Sequence, residues 1–276
     1  MTATFPPDPG KAFAQVDEST VAPILMAYLD RVADMPETTA FRSIAVELME
    51  LQPGMRVLDA GSGLGEAARE LATLVRPGGE VIAVDLSSQM VAAAAARDGG
   101  IGVTYEVADV LDLPFATDSF DRTRCERVLQ HLPDPDIAIA ELVRVTAPAG
   151  AVCLLDPDWR SLAIDVDDPV LVTAVLDTFV ARSAQPDIGR TLRRRLVRAG
   201  VVDVVVRVQP LTYTSVREAG RVIPILDDGI PPDAGLIPET IRDRWFAALR
   251  RSDAEGTFWV AALGYVACGV VPETAA

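Results

Sequence analysis

Ten residues, Val57-Leu58-Asp59-Ala60-Gly61-Ser62-Gly63-Leu64-Gly65-Glu66, restrict the fold of this chain more than any others. They read as a buried strand, a glycine-rich turn and a helix start. Asp85 follows Gly65 by twenty residues and closes a second apolar run, Glu80-Val81-Ile82-Ala83-Val84-Asp85. Together they describe a nucleoside-binding βαβ unit. Glycines let the backbone approach a ligand closely, and a carboxylate at the next strand end accepts hydrogen bonds from ribose hydroxyls.

The glycine spacing separates the candidate ligands. A dinucleotide turn is G-x-G-x-x-G/A, and Glu66 occupies its third slot here. A carboxylate aimed at a pyrophosphate is also electrostatically wrong. The spacing is instead acid-x-G-x-G-x-G, from Asp59 through Gly61, Gly63 and Gly65. This resembles the first motif of the class I S-adenosylmethionine-dependent methyltransferases. Their ligand has no phosphate and carries an ammonium and a sulfonium, which Asp59 would attract in a partly desolvated pocket. A structural turn with incidental glycines is the plainer alternative.

Later segments extend the resemblance. Ala108-Asp109-Val110 follows a third strand and is similar to the family segment in which an aspartate accepts the adenine amino group, so Asp109 takes that part and Val110 packs beside it. An aspartate capping a turn would look the same in isolation. Phe120-Asp121 through Pro133-Asp134 resembles the segment after strand four, and Arg144 to Ala151 the turn before strand five, with Thr146 and Ala149 departing from its pattern. The likeness covers roughly residues 40–160. It is closest to the small-molecule branch, the ubiquinone/menaquinone and polyketide tailoring enzymes. It implies S-adenosyl-L-methionine as cofactor and S-adenosyl-L-homocysteine as product. The contacts implied are Asp59, Gly61, Ser62, Gly63, Asp85, Leu86, Met90, Asp109, Val110, Cys125 and Glu126. Arg42, on the helix before strand one, can pair with the methionine carboxylate in a bidentate manner or be an ordinary exposed arginine.

Strands and helices alternate from residue 51 onward. Strands are expected at 56–60, 80–85, 103–107, 122–125, 151–155, 201–208 and 258–270, with helices at 64–74, 87–97 and 136–145. This predicts an α/β chain: a Rossmann-like, doubly wound, mostly parallel seven-stranded sheet with helices on both faces. Residues 1–50 read as an N-terminal helical segment whose first eleven residues are a loose arm. Stretches 160–200 and 212–256 break the alternation and are expected to form a substrate-covering cap on the 51–276 domain.

Composition narrows the partners. Asp and Glu number 40 against 25 Lys and Arg, a net charge of −15, which speaks against nucleic acid, because phosphate contacts need clustered cations. The basic run Arg190 to Arg198 has helix spacing and reads as a solvated face. Three scattered cysteines fit a reducing cytoplasm. The first residues lack a signal-peptide pattern, and no apolar run approaches the roughly 18 residues of a membrane span. The expected partner is a small-molecule acceptor, and a homodimer is among the assemblies allowed.

Candidate catalytic residues are few. His131 is the only histidine; it can take a proton from an attacking hydroxyl or pack beside Pro133. Asp156 and Asp158, after strand five, can serve as a base or start a turn, and no metal site is expected. Tyr28, Trp159, Phe179, Tyr213, Trp245 and Phe246 are candidates for an apolar substrate pocket. The function implied is methyl transfer to O, N or C of a small, largely apolar metabolite, possible natural-product intermediates included. The alternatives are a non-methylating reaction such as cyclisation on the same fold and cofactor, and a nicotinamide-dependent oxidoreductase, which Glu66 disfavours.

Overall fold

The computed structural model describes Asp17, residues 22–230 and residues 232–273; the arm at 1–11 lies outside the described residues. Seven strands form one sheet: β1 (Arg56–Ala60), β2 (Glu80–Asp85), β3 (Thr104–Val107), β4 (Phe120–Glu126), β5 (Thr146–Asp165), β6 (Val202–Tyr213) and β7 (Trp259–Val270). Their order is β3-β2-β1-β4-β5-β7-β6. The first five run parallel, and β7 is antiparallel to both β5 and β6. The strand order reverses between β1 and β4, which opens a crevice at their carboxyl ends, the place where ligands of such sheets bind.

The helices are α1 (Ala22–Ala33), α2 (Pro36–Met49), α3 (Glu66–Leu74), α4 (Ser88–Ala96), α5 (Pro135–Val145), α6 (Pro169–Arg182), α7 (Ile188–Arg198), α8 (Val216–Ala219) and α9 (Glu239–Ala254). Local chemistry starts them. Ser87 Oγ accepts from Met90 N at 3.1 Å to cap α4. Asp134 caps α5, with Pro135 in its first turn.

Alternate residues of the central strands feed two cores, as the period of a strand requires. Val57, Val81, Ala83 and Leu155 pack with Phe41, Met49 and Leu71 on one face. Leu58, Ala60, Ile82 and Leu154 pack with Ile139 and Leu142 on the other. A third core lies beyond the carboxyl ends of the parallel strands, where Val175, Phe179, Ile223, Ile225, Trp245, Phe246 and Leu249 gather over Phe258 and Val260.

Two expectations change. Strand five does not stop at Leu155. Antiparallel β7 pairs with it as far as Asp165↔Trp259, with an irregularity between Asp158 and Ala163, so Asp-Pro at 156–157 lies inside a strand rather than starting a turn. The stretch 160–200 is not one unit either. Ile188, Leu192 and Leu196 of α7 are fully buried in the core of the sheet, whereas α6 joins the third core with α8 and α9. The helix α7 therefore covers the sheet; Arg193, Arg194 and Arg198 face outward, while Arg190 and Arg195 are tied down by Asp158 and Asp136.

Because α7 belongs to the sheet, Leu192→Ala should lower global stability by about 2–5 kcal/mol, the cost of a cavity in a packed core. Urea unfolding followed by circular dichroism measures this. A change confined to acceptor binding, with the midpoint unmoved, would return α7 to the cap.

Candidate functional site

One cavity of about 720 Å³ occupies the crevice between the sheet ends and the third core. Its floor is the turn after β1. Gly61 and Gly63 have φ of 74° and 53°, a region open mainly to glycine. A Cβ on Gly61 would also stand 2.1 Å from Cγ2 of Val128, so both backbone and space require glycine there. The amides of Gly61 and Ser62 donate to the Val84 carbonyl at 2.8 and 2.9 Å. The Gly63 amide donates to Asp85 Oδ2 at 2.9 Å, and the Ser87 amide to Asp85 Oδ1 at 3.0 Å. Asp85 thus binds the two strand ends into one rim. Burial raises its pKa, against the pull of the Ser87 and Gly63 amides.

Beneath the turn lies a buried cluster of charges. Arg124 Nη1 donates to Asp59 Oδ1 at 2.8 Å, and Arg124 Nη2 contacts Glu126 Oε2. Arg42 Nε reaches both Glu126 oxygens, at 3.3 and 3.0 Å. Arg127 Nε stands 3.2 Å from Glu126 Oε1. Burial opposes the charge on Glu126, yet Arg124, Arg42 and Arg127 hold its pKa down at about 2. Burial dominates at Asp59 and raises its pKa despite Arg124. Asp59 Oδ2 is buried without a hydrogen-bond partner, an acceptor left over at the floor of the cavity.

The structure brings most of the expected cofactor residues together. Asp59, Gly61, Ser62, Gly63, Asp85, Leu86, Met90, Asp109, Val110, Glu126 and Arg42 all line the cavity. Asp109 also accepts from the Leu111 amide at 2.9 Å, so it holds its own turn while facing the cavity. Cys125 is the exception. It alternates with Arg124 and Glu126 along β4, points to the opposite face and is buried with Leu58, Ala60 and Leu154.

His131 lines the cavity at the end of a single helical turn, Leu129–His131. Asp156 and Asp158 do not. Both are fully buried, because β5 continues past them and directs them away from the cleft. Asp158 is paired with Arg190 and accepts from the Arg160 amide at 3.0 Å. Burial pushes the Asp156 carboxyl well above the usual range, with the amides of Gln130 and Leu129 working against it. Neither aspartate is placed to act as the base. Among the described residues no three His, Cys, Asp or Glu side chains gather as metal ligands would. Of the aromatic candidates, Tyr28, Trp159 and Phe179 line the cavity. Tyr213, Trp245 and Phe246 are buried in the third core instead.

Several polar residues of the cavity are not singled out by the sequence reading, Arg124, Arg127 and Gln130 among them. Gln130 joins the two walls, donating to the Arg127 carbonyl at 3.1 Å and accepting from Trp159 Nε1 at 2.8 Å. A signal for Arg124 existed. A central strand reading Arg-Thr-Arg-Cys-Glu cannot bury its charges unless they are paired.

Residues 58–154 match the methyltransferase-domain family, and residues 11–102 match the protein-L-isoaspartate(D-aspartate) O-methyltransferases. The chain is 34% identical to an uncharacterised 37.1 kDa protein of a Streptomyces fradiae transposon, over 91% of this chain and 72% of that protein. It is 33% identical to the ubiquinone/menaquinone biosynthesis C-methyltransferase UbiE of Bordetella avium, over 42% of this chain and 46% of the enzyme; the match thus spans about half of that relative's length. In fold it is similar to the [4+2]-cyclase SpnF, with a TM-score of 0.61 at 18% identity over 99% of this chain and 100% of that one.

The charge cluster sets an acid dependence. Folded Glu126 stays ionised down to about pH 2, whereas an unfolded glutamate protonates near its ordinary 4.5. Its contribution to stability is therefore complete above pH 4.5 and fades as the pH falls towards 2. Glu126→Gln should lose that part of the acid dependence and be less stable at neutral pH by about 3–5 kcal/mol, the cost of stranding buried partners. Urea unfolding across the pH range reads both effects; an unchanged acid limb would place the titration elsewhere.

Proposed function

Because this chain belongs to the class I S-adenosylmethionine-dependent methyltransferases, we propose that it transfers a methyl group to an O, N or C atom of a small, largely apolar metabolite. The observation that carries this reading is the shape of the cavity. A polar floor of glycine amides and carboxylates continues without a break into an apolar chamber lined by Tyr28, Trp159, Phe179, Leu211, Val222 and Ile230. Trp159 and Phe179 meet edge to face at 5.4 Å. A cofactor and an acceptor can thus lie end to end. A cavity of this size is ordinary for one or two small ligands.

The residues present fit S-adenosylmethionine. The unpartnered Oδ2 of Asp59 is an acceptor suited to a cationic group, and Gly61 leaves the turn free of a side chain where Val128 closes over it. Asp59, Gly61 and Gly63 would hold the amino-acid end, with Arg42 within reach of its carboxylate. Asp85 would hold the ribose and Asp109 the adenine. The cofactor supplies an electrophilic methyl group on a sulfonium.

The rest falls to the chain. Gln130, fastened to Trp159 and to the Arg127 carbonyl, orients the wall between the two compartments. The third core closes the chamber against water, and fixed geometry of this kind converts a bimolecular attack into an aligned one. His131 is positioned on the same wall, where it would complete the packing. A reducing, cytoplasmic setting is part of the reading, supported by the free thiols of Cys125, Cys153 and Cys268.

Calorimetry should detect binding of S-adenosylmethionine and none of NADH. Asp85→Ala should weaken cofactor binding by about 1–3 kcal/mol, and Gly61→Val should abolish it. Mass spectrometry of an acceptor pool should then show the gain of one methyl group. A preference for NADH would end the methyltransferase reading. Binding of S-adenosylmethionine with conversion of an acceptor at unchanged mass would favour cyclisation.

His131→Ala should keep most of the turnover, since alignment carries the rate. A fall of about 10²–10⁴-fold with cofactor affinity unchanged, and loss of a rate inflection near neutral pH, would instead make His131 the general base.

A further inference from the structure

We propose that Arg127 anchors an anionic oxygen of the acceptor: the acceptor is an apolar molecule that presents a carboxylate, or an ionised phenol or enol, to the wall between the two compartments. This rests on the methyl-transfer reading and goes beyond it by naming the charge of the acceptor.

Position comes first. Arg127 lines the cavity where β4 ends. The charge cluster lies on one side of it. On the other is Tyr28, close enough for the Arg127 charge to act on its hydroxyl. The backbone there is left-handed, with φ of 56°, a conformation that costs a side chain more than it costs glycine. The Arg127 amide secures it by donating to the Leu155 carbonyl at 2.7 Å. An arginine thus sits in a turn that glycine would make more easily, a kind of strain that gathers at functional sites.

The guanidinium has capacity to spare. Its Nε pairs with Glu126 Oε1, and Nη1 and Nη2 donate no hydrogen bond to any described residue. The side chain is 22% exposed, so water screens it only in part and an anion would be held more strongly than at an open surface.

The charges of the buried cluster itself point the same way. Asp59 and Glu126 carry two negative charges against three positive ones on Arg42, Arg124 and Arg127, which leaves one positive charge in excess. S-adenosylmethionine brings one carboxylate with an ammonium and a sulfonium, and so adds another. Elsewhere in the lining Asp227 is turned onto the Gly229 amide at 3.0 Å, and Asp85 is held by the Gly63 and Ser87 amides at the glycine turn. An anionic oxygen beside Arg127 would offset the local excess of the cluster, and the ionised form is also the better nucleophile.

The test is calorimetry on the full chain with 2-naphthoate, its uncharged analogue 2-naphthamide, and 2-naphthol titrated below and above its pKa, each with and without S-adenosylhomocysteine. The carboxylate should bind about 10–100-fold more tightly than the amide, the scale of a hydrogen bond to a charged group. Arg127→Gln should erase that margin, and Arg127→Lys should keep part of it. Arg127→Gly, which suits the left-handed turn, gives the same readout if Arg127→Gln fails to fold. Strengthening of 2-naphthol as it ionises would identify a phenolate as the preferred anion; strengthening of 2-naphthoate alone would identify a carboxylate. Failure of 2-naphthoate to bind, equal binding of carboxylate and amide, or a margin that survives Arg127→Gln and disappears in Arg182→Gln would overturn the assignment. Failure of S-adenosylhomocysteine to bind the unaltered protein would overturn the cofactor reading instead.

Discussion

The site depends on one buried group of ions. Asp59 at the end of β1, Arg124 and Glu126 at the end of β4, and Arg42 on α2 share hydrogen bonds in the floor of the cavity. Each ion costs several kcal/mol to remove from water, and only good geometry within the group offsets that cost. The arrangement is therefore all or nothing. Any member left alone would be an unpaired buried charge, so the relative placement of β1, β4 and α2 is strongly specified. The glycine turn stands on this base, with Val128 packed against Gly61 and Asp85 tying the turn to β2.

The cavity lies between the two cores of the sheet and a third core beyond the strand ends. The cores on the faces of the sheet hold the strand ends in register, while the third core, built around Trp245 and Phe179, stands off those ends. Between them polar backbone faces apolar side chains. The segment after β4 is the seam. Arg127, Val128, Gln130 and His131 line the cavity there, and Gln130 is bonded to both walls. Cofactor chemistry and acceptor specificity would meet along these few residues, where a charged side chain occupies a left-handed turn.

The legible part of the site is the part made by short-range pattern. Asp59, Gly61, Gly63, Asp85 and Asp109 could be placed at the cavity because each lies at or just beyond the end of a strand, and the carboxyl ends of parallel strands converge by topology alone. The errors are equally physical. Cys125 was placed in the site with its neighbour Glu126, but successive strand residues face opposite ways, and Cys125 belongs to the core. Asp156 and Asp158 were placed in the cleft on the assumption that β5 ends at Leu155. Pairing with β7 carries the strand to Asp165, and those carboxylates are buried elsewhere. Arg124 and Arg127 were passed over because a charge in a strand has no meaning until its partner is known, and Arg42, which meets Glu126, lies 84 positions earlier.

By itself the sequence determined the α/β alternation, the glycine turn and the acids at the ends of the first three strands, because strand and helix periodicity and the freedom of glycine are local properties of the chain. Through the spacing of those glycines, with Glu66 in the third slot, it also disfavoured a dinucleotide. Only the tertiary structure decided which charges pair and which aromatic side chains reach the cavity. It also decided that α7 covers the sheet while α6, α8 and α9 build the third core. Those outcomes depend on contacts between residues far apart in the chain, and the free energy that selects among them comes from burying charge and apolar surface together, which no short window of sequence contains.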